Sequence, residues 1–536
     1  METVDGTEWD VVISGTGLRQ SLLALALSRS GQKVLHVDKN DYYGGNEAAF
    51  SLQEAEDWVR KINEEPNAFP FQDARIRSQP TTDQNDPSAP KLSFSRAYTL
   101  ALSPQVIYTQ SKILPILVSS KVYRQLDFQA IGHWWVYSRE LAASSGDGSK
   151  DVEQPTSKRR RGNFYCVPNG REDVFSDESL DMKSRRALMK FLKSTALGEE
   201  PIDEDLEGLF PDLLSLRYRL PAYLQNSLFA LTLSPNSPSH IQNKYALPRI
   251  RRHLRSIGVF GPGFGAVTPK WGGTAEIAQV ACRAGAVGGG VYVLNRRIAK
   301  IDEINIDGVP DQAQAATLKG VKLSNGEAVK TRWVVGTNHD LPTTSDLKLQ
   351  QSLKASRSIS ILSTDLSELL PVTAEGAPPP VGAVIVLPSG SLSKEDQPGE
   401  CPPVYVIVHS SDTGECPVGQ SVLYAYTLAN GQKGQDLLLD AVNTIISNLQ
   451  MTPLPQVLWS LQYTQTFRHS ESDPALQPNI DSNILLFPEL ELDLSLEDDV
   501  VDQVREVWHR IQPGADETEF MRFEERGEDG QENTDE

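Results

Sequence analysis

The residues best placed to do chemistry lie in two stretches. The first is "DVVISGTGLRQSLLALALSRSGQKVLHVDKNDYYGGN" (10–46). It sets Gly15 and Gly17 in a turn after an apolar run, ends a second apolar run on Asp38, and closes on Gly44 and Gly45 behind two tyrosines. Such spacing suits a dinucleotide: one glycine makes the turn, the next lets the backbone approach a pyrophosphate, and the acid binds a ribose or simply caps the strand end. The third glycine of that fingerprint is missing, with Gln20 in its place. The second stretch is "PKWGGTAEIAQVACRAGAVGGGVYVLN" (269–295), with Glu276 and Arg283 seven residues apart. Seven residues is about two helical turns, so an acid and a base project from one face. Thr274 is the expected cap, with Glu276 in the favourable first turn. Read alone, such a pair is a solvated helix face. No nucleophile–histidine or metal-ligand constellation has useful spacing, and His133-Trp134-Trp135 reads as packing.

These groups need elements to hold them. "WDVVISG" reads as a buried strand, "GLRQSLLALALSRSG" as a helix apolar nearly all round with Gly31 just past its end, and "KVLHVD" as a second, parallel strand. Residues 75–91 read as a polar loop, and 113–128 as an apolar, partly helical segment interrupted by Pro115. Residues 144–163 are low in complexity and expected to be disordered. Within them "SKRRRG" (157–162) is a solvated charge run or, alternatively, a nuclear-import signal. From 172 to 258 the pattern turns helical, an insert in an α/β domain that spans 1–171 and resumes over 259–512. Asn325-Gly326 marks a hairpin. "VVDQVREVWHRI" is a final amphipathic helix, and 513–536 is expected to be an acidic disordered tail.

The 536 residues suffice for two or three domains. Apolar residues at 39% and charged residues at 23% are those of a soluble globular protein. A formal charge of −20 argues against a general nucleic-acid grip. No apolar run reaches the roughly 18 residues needed to span a bilayer, and neither end carries a secretory signal or prenylation box. Four cysteines without CxxC spacing argue against a zinc site and fit a reducing compartment.

The stretch "DKNDYYGGN" is similar to one in flavin amine oxidases, where an arginine two residues before the glycines helps hold the cofactor phosphate. Tyr42 stands there in this chain. A neutral phenol lacks the guanidinium's charge and forked donors, so the expectation is that no flavin binds. The closer resemblance is to the Rab escort protein and Rab GDP-dissociation inhibitor superfamily. "GTGLRQSLLALALSRSGQKVLHVDKNDYYGGN", the 269–295 block and "LSPQVIYTQSKILPILVSSKVYRQLDF" (102–128) carry it over most of the chain. "NGREDVF", "RSISILSTDLSELLP" and the chain length resemble the escort branch.

The resemblance implies a flavoprotein-like α/β fold of the Rossmann type, with β-sheet additions and an inserted helical domain, used for binding rather than catalysis. It places Tyr43, Glu276 and Arg283 in a platform for GDP-bound Rab GTPases. It lays the Rab C-terminus over Ile113, Ile116, Leu117 and Val122. It leaves Gly15, Gly17, Asp38, Gly44 and Gly45 as a vestigial nucleotide turn. It gives the helical insert to a geranylgeranyl lipid and to the α/β heterodimer of Rab geranylgeranyltransferase, with transient membrane contact from the cytosol. The alternatives are a Rab GDP-dissociation inhibitor and, in another class, a flavin-dependent amine oxidase.

Overall fold

The run WDVVIS has a polar start and a glycine stop, and it forms strand β1 (Glu8–Ser14), whose last four residues are buried. Helix α1 (Leu18–Arg29) follows, then β2 (Val34–Val37), parallel to β1 with Val11 opposite Val34. The computed structural model describes residues 3–65, 70–78, 90–139, 160–168, 171–176, 180–197, 206–304, 318–342, 352–393, 401–449, 451–468, 483–488 and 492–523. Gly31 takes φ +82° just past α1, the left-handed stop that its position predicts.

Along the chain come α2 (Leu52–Glu64), α3 (Ile113–Ser119), α4 (Met182–Leu197), α5 (Ala222–Thr232), α6 (Asn243–Ser256), α7 (Thr274–Val287), α8 (Gly431–Asn448) and α9 (Asp499–Ile511). Strands β3 (Val291–Val293), β4 (Ile298–Ile304), β5 (Leu318–Leu323), β6 (Ala328–Gly336) and β7 (Ile484–Leu486) complete the first sheet. Its order is β3-β2-β1-β6-β5-β4, with β7 also on β6. The Asn325-Gly326 turn joins β5 to β6, and the Leu323 N–H donates to the Glu327 carbonyl at 2.8 Å. Helix α1 is buried from Leu18 to Ser28 because α7 and α9 cover it where the sheet does not. The α9 face of Val501, Val504, Val507, Trp508 and Ile511 is buried, each side chain contributing roughly 1.5–3 kcal/mol.

The larger sheet runs through strands Phe71–Ser78, Val457–Arg468, Ser352–Leu362, Ser421–Thr427, Val404–Ser410, Gly382–Leu387, Phe128–Tyr137 and Ala266–Pro269. Trp134 and Trp135 lie inside it, as packing. Helices α4, α5 and α6 share a hydrophobic core with this sheet, Phe191, Leu228 and Ile250 packing in one cluster with Trp134 and Tyr405.

Three expected loops are partly ordered. Residues 75–78 belong to a strand, because Arg75, Ile76 and Arg77 pair with Gln462, Leu461 and Ser460. Arg160 and Arg161 form a short strand on Phe164–Cys166, and Arg161 donates to the Glu368 carbonyl at 3.1 Å. The tail residues 513–523 are anchored: Phe520 and Met521 are buried, and the Phe523 N–H donates to the Ser119 carbonyl of α3. Acidic composition had masked those apolar anchors. The rest of these loops, 79–89, 144–159 and 524–536, lies outside the described residues. No described helix is long and apolar enough to cross a membrane.

Candidate functional site

The glycine turn is held from below by two side chains of the β2 end. Gly15 adopts φ +88°, where a side chain is strained, and a Cβ would strike the Asp340 carboxylate. The His36 ring nitrogen Nε2 pairs with the Gly15 carbonyl at 2.6 Å, and burial holds the imidazole down at about 4, so it is neutral and Nε2 is the donor. Asp38 accepts from the Thr16 amide at 2.7 Å, the Thr16 hydroxyl at 2.6 Å and the Asn40 amide at 2.7 Å. The acid that a ribose would need is engaged by its own chain.

A cleft of about 70 Å³ opens above this turn, room for a few waters by that measure. Three carboxyl groups line it, those of Asp38, Glu47 and Asp340, with two cations, Lys39, paired with Asp340 at 3.8 Å, and Arg19, which donates to Gln503. Gln20, in place of the third glycine, donates to Asp340 at 3.2 Å and fills the mouth of the turn. Tyr42 lines the cleft and packs edge-on to Phe50 at 4.8 Å. A flavin diphosphate would meet three acids against two cations that are already engaged by protein groups. The residues present do not fit that cofactor.

Tyr43 stands on the other side of the same turn. Gly44 (φ +97°) reverses the chain, and its N–H reaches the Thr16 hydroxyl at 3.1 Å. The phenol is half-buried, and burial, then the Cys282 thiol and the Asp38 carboxyl, push its titration upward. Cys282 belongs to α7, so Tyr43 lies within electrostatic reach of the helix that carries Glu276 and Arg283. Glu276 is half-buried, raised by burial and drawn back by Arg283. Arg283 is exposed and donates to Gln125 Oε1 at 3.2 Å. The three expected platform residues thus lie on one helix and the turn against it. Thr274 does not cap α7: it is the first helical residue, Gly273 is the N-cap, and no side chain caps that end.

A family model described as GDP dissociation inhibitor matches residues 5–75 and 76–370, more than half of the chain. The chain belongs to the GDP dissociation inhibitor family. Within that family it is 28% identical over 441 residues to the Saccharomyces cerevisiae protein named Rab proteins geranylgeranyltransferase component A, covering 81% of this chain and 64% of that one. To the Drosophila melanogaster protein of the same name it is 26% identical, covering 95% of this chain and 89% of the relative. The chain spans about six-tenths of the length of the two budding-yeast relatives it matches, 64% in Saccharomyces and 59% in Candida albicans. The solved Rab GDI of Plasmodium falciparum superposes with TM-score 0.60 at 17% identity, over 95% of this chain and 99% of that one. An oxidoreductase from Methanosarcina mazei gives 0.54 at 12% identity, over 93% and 99%, which shows a shared fold.

The chain departs from the sequence expectation at the 113–122 segment. Ile113, Ile116, Leu117 and Val122 are exposed by only 2, 8, 1 and 1%, packed in the core with α1, α7 and α9. They therefore do not line a surface groove. An apolar stripe in a short helix turns inward wherever a core is available, and the periodicity cannot say otherwise. The outward apolar side chains are Val118 and Tyr123, 56 and 41% exposed. Sequence reasoning also passed over Thr16, His36, Glu47, Gln125 and Asp340. Thr16, inside the Gly15-Thr16-Gly17 turn, His36, two residues before Asp38, and Glu47, two residues past a Gly-Gly pair, stood close enough to a motif to be noticed.

Proposed function

We propose that this chain is an escort protein for Rab GTPases, a binding and presenting partner rather than an enzyme. It takes up newly made, GDP-bound Rab on Tyr43, Glu276 and Arg283. A phenol, an acid and a base offer complementary hydrogen bonds to a polar surface, which gives orientation and specificity. The Rab C-terminus passes over the 113–125 segment, whose outward face carries Val118 and Tyr123. The Rab cysteines are then presented to a separate Rab geranylgeranyltransferase, the helical region 172–258 docks that enzyme and receives the lipid, and the prenylated Rab is delivered from the cytosol to a membrane. Zinc and isoprenoid chemistry belong to the transferase.

The observation that carries this reading is that Tyr43 lies within electrostatic reach of Cys282, on the helix bearing Glu276 and Arg283. The names of the relatives, component A in yeasts and fly and Rab escort protein 1 in Arabidopsis thaliana, support the escort branch. The test is reconstituted prenylation of a purified Rab with and without this chain. We expect transfer to depend on the chain. Rab binding without stimulated transfer would favour a recycling GDP-dissociation inhibitor, a reading supported by the Arabidopsis inhibitor that is 26% identical over 358 residues.

A further inference from the structure

The N-terminus of α1 is the place where a flavoprotein-like fold would seat a diphosphate. Its first N–H groups have no partner within the helix and carry partial positive charge. Here the N-cap is Gly17, which has no side chain to offer, and the first turn of α1 contains no acid. The partner comes from elsewhere. Glu47 Oε2 accepts the Leu18 N–H at 3.4 Å and lies 3.3 Å from where a Cβ on Gly17 would stand. Glu47 is 5% exposed. It closes the short turn Gly45–Glu47, its own N–H bonding the Gly44 carbonyl at 2.9 Å, so carboxyl and turn move together. Gly45 faces Gly17 closely: a Cβ on Gly45 would lie 3.5 Å from the Gly17 nitrogen. The two glycine turns meet in van der Waals contact beside the cleft.

We propose that Glu47 takes the place of a bound phosphate, its carboxyl clasping the N-terminus of α1 and thereby fixing the Tyr42-Tyr43-Gly44-Gly45 turn on α7. Glu47 is a positioning residue. It holds Tyr43 at the height of Glu276 and Arg283, and it closes the site to a dinucleotide. The consequence for partner binding rests on the proposed Rab platform; the clasp itself does not.

The experiment uses the full chain, wild type, Glu47→Ala and Glu47→Gln. Amide hydrogen exchange is followed at Leu18 and 44–48, with the strand Val404–Ser410 as an internal control. In Glu47→Ala we expect the clasp amides to exchange about 10-fold faster and the control to be unchanged, the size of one lost buried hydrogen bond. Glu47→Gln keeps an acceptor, shows the same change in smaller degree, and carries the measurement if the alanine variant does not fold. Unchanged exchange at Leu18 and 44–48 overturns the clasp. Faster exchange with a drop in Rab affinity supports both the clasp and the role of Tyr43. Faster exchange with unaltered Rab affinity supports the clasp and removes Tyr43 from the platform, which separates the two failures. Wild-type protein incubated with FAD and desalted should retain none; stoichiometric retention would also overturn the proposal.

Discussion

Thr16 gives Asp38 two hydrogen bonds, one from its amide at 2.7 Å and one from its hydroxyl at 2.6 Å. Asp38 is 1% exposed, and burial, helped by the neighbouring Asp340 carboxyl, pushes it up to about 6 from an ordinary 3.8. A carboxyl raised in the folded state keeps a proton that the unfolded chain has released. Its contribution to stability is therefore fullest below about pH 4, declines as pH rises through 6, and is gone above that. Two pKa units correspond to on the order of 3 kcal/mol. We expect the difference in unfolding free energy between wild type and Asp38→Asn to move against wild type by that order between pH 4 and pH 7. A difference independent of pH would remove Asp38 from this role.

Glu276→Ala and Arg283→Ala should each weaken Rab binding by about 1–2 kcal/mol, roughly 5- to 30-fold, as expected of interface anchors. Both side chains are at least partly exposed, so the thermal midpoint should barely move. Gln125→Ala, which takes away the acceptor for Arg283, should have a smaller effect in the same direction. Titration calorimetry against a GDP-loaded Rab reads all three. Wild-type affinity in both charge variants would sink the platform.

Gly285 lies inside α7, and a Cβ there would collide with the Tyr292 hydroxyl of β3. Gly285→Ala should therefore destabilise by about 1–3 kcal/mol despite the better helix propensity of alanine. Tyr292→Phe removes the hydroxyl, which is buried and has no hydrogen-bond partner. In that background the same alanine should become neutral or stabilising by up to about 1 kcal/mol. Chemical denaturation of the four proteins of this cycle gives the coupling. Additive effects would contradict the close contact.

Arg249 on α6 pairs with Asp493 and, at 3.2 Å, with Glu497, while Arg252 reaches Glu497 at 3.0 Å and Asp498 at 3.4 Å. This network ties the helical region to the approach to α9. Burial, then Asp493, raises the Glu497 carboxyl above its usual range. Arg249→Met would leave the buried Asp493 facing the partly buried Glu497, and we expect a loss of about 3 kcal/mol. Adding Asp493→Asn should recover part of it. A surface-like loss under about 0.5 kcal/mol would show that the pair is solvated.

The sequence by itself determined the β1–α1–β2 unit, the Asn325-Gly326 hairpin and the buried face of α9. Each is a local signal, a periodicity or a turn residue whose cause lies within a few positions. It also determined that Glu276 and Arg283 share a helix face, because helical geometry alone dictates this. Only the tertiary structure decided which way the 113–122 stripe faces, since a stripe of apolar residues packs inward or outward according to what lies beside it. It likewise decided that residues 513–523 are anchored, because the grip comes from Phe520 and Met521 on a core built by distant elements. The missing third glycine is the sharpest case. Gln20 and Asp340 are 320 residues apart, and Glu47 meets α1 across a turn that spacing cannot orient. The acids that fill the nucleotide site converge only when two glycine turns fold against each other, and long-range convergence of that kind leaves no periodic trace in a chain.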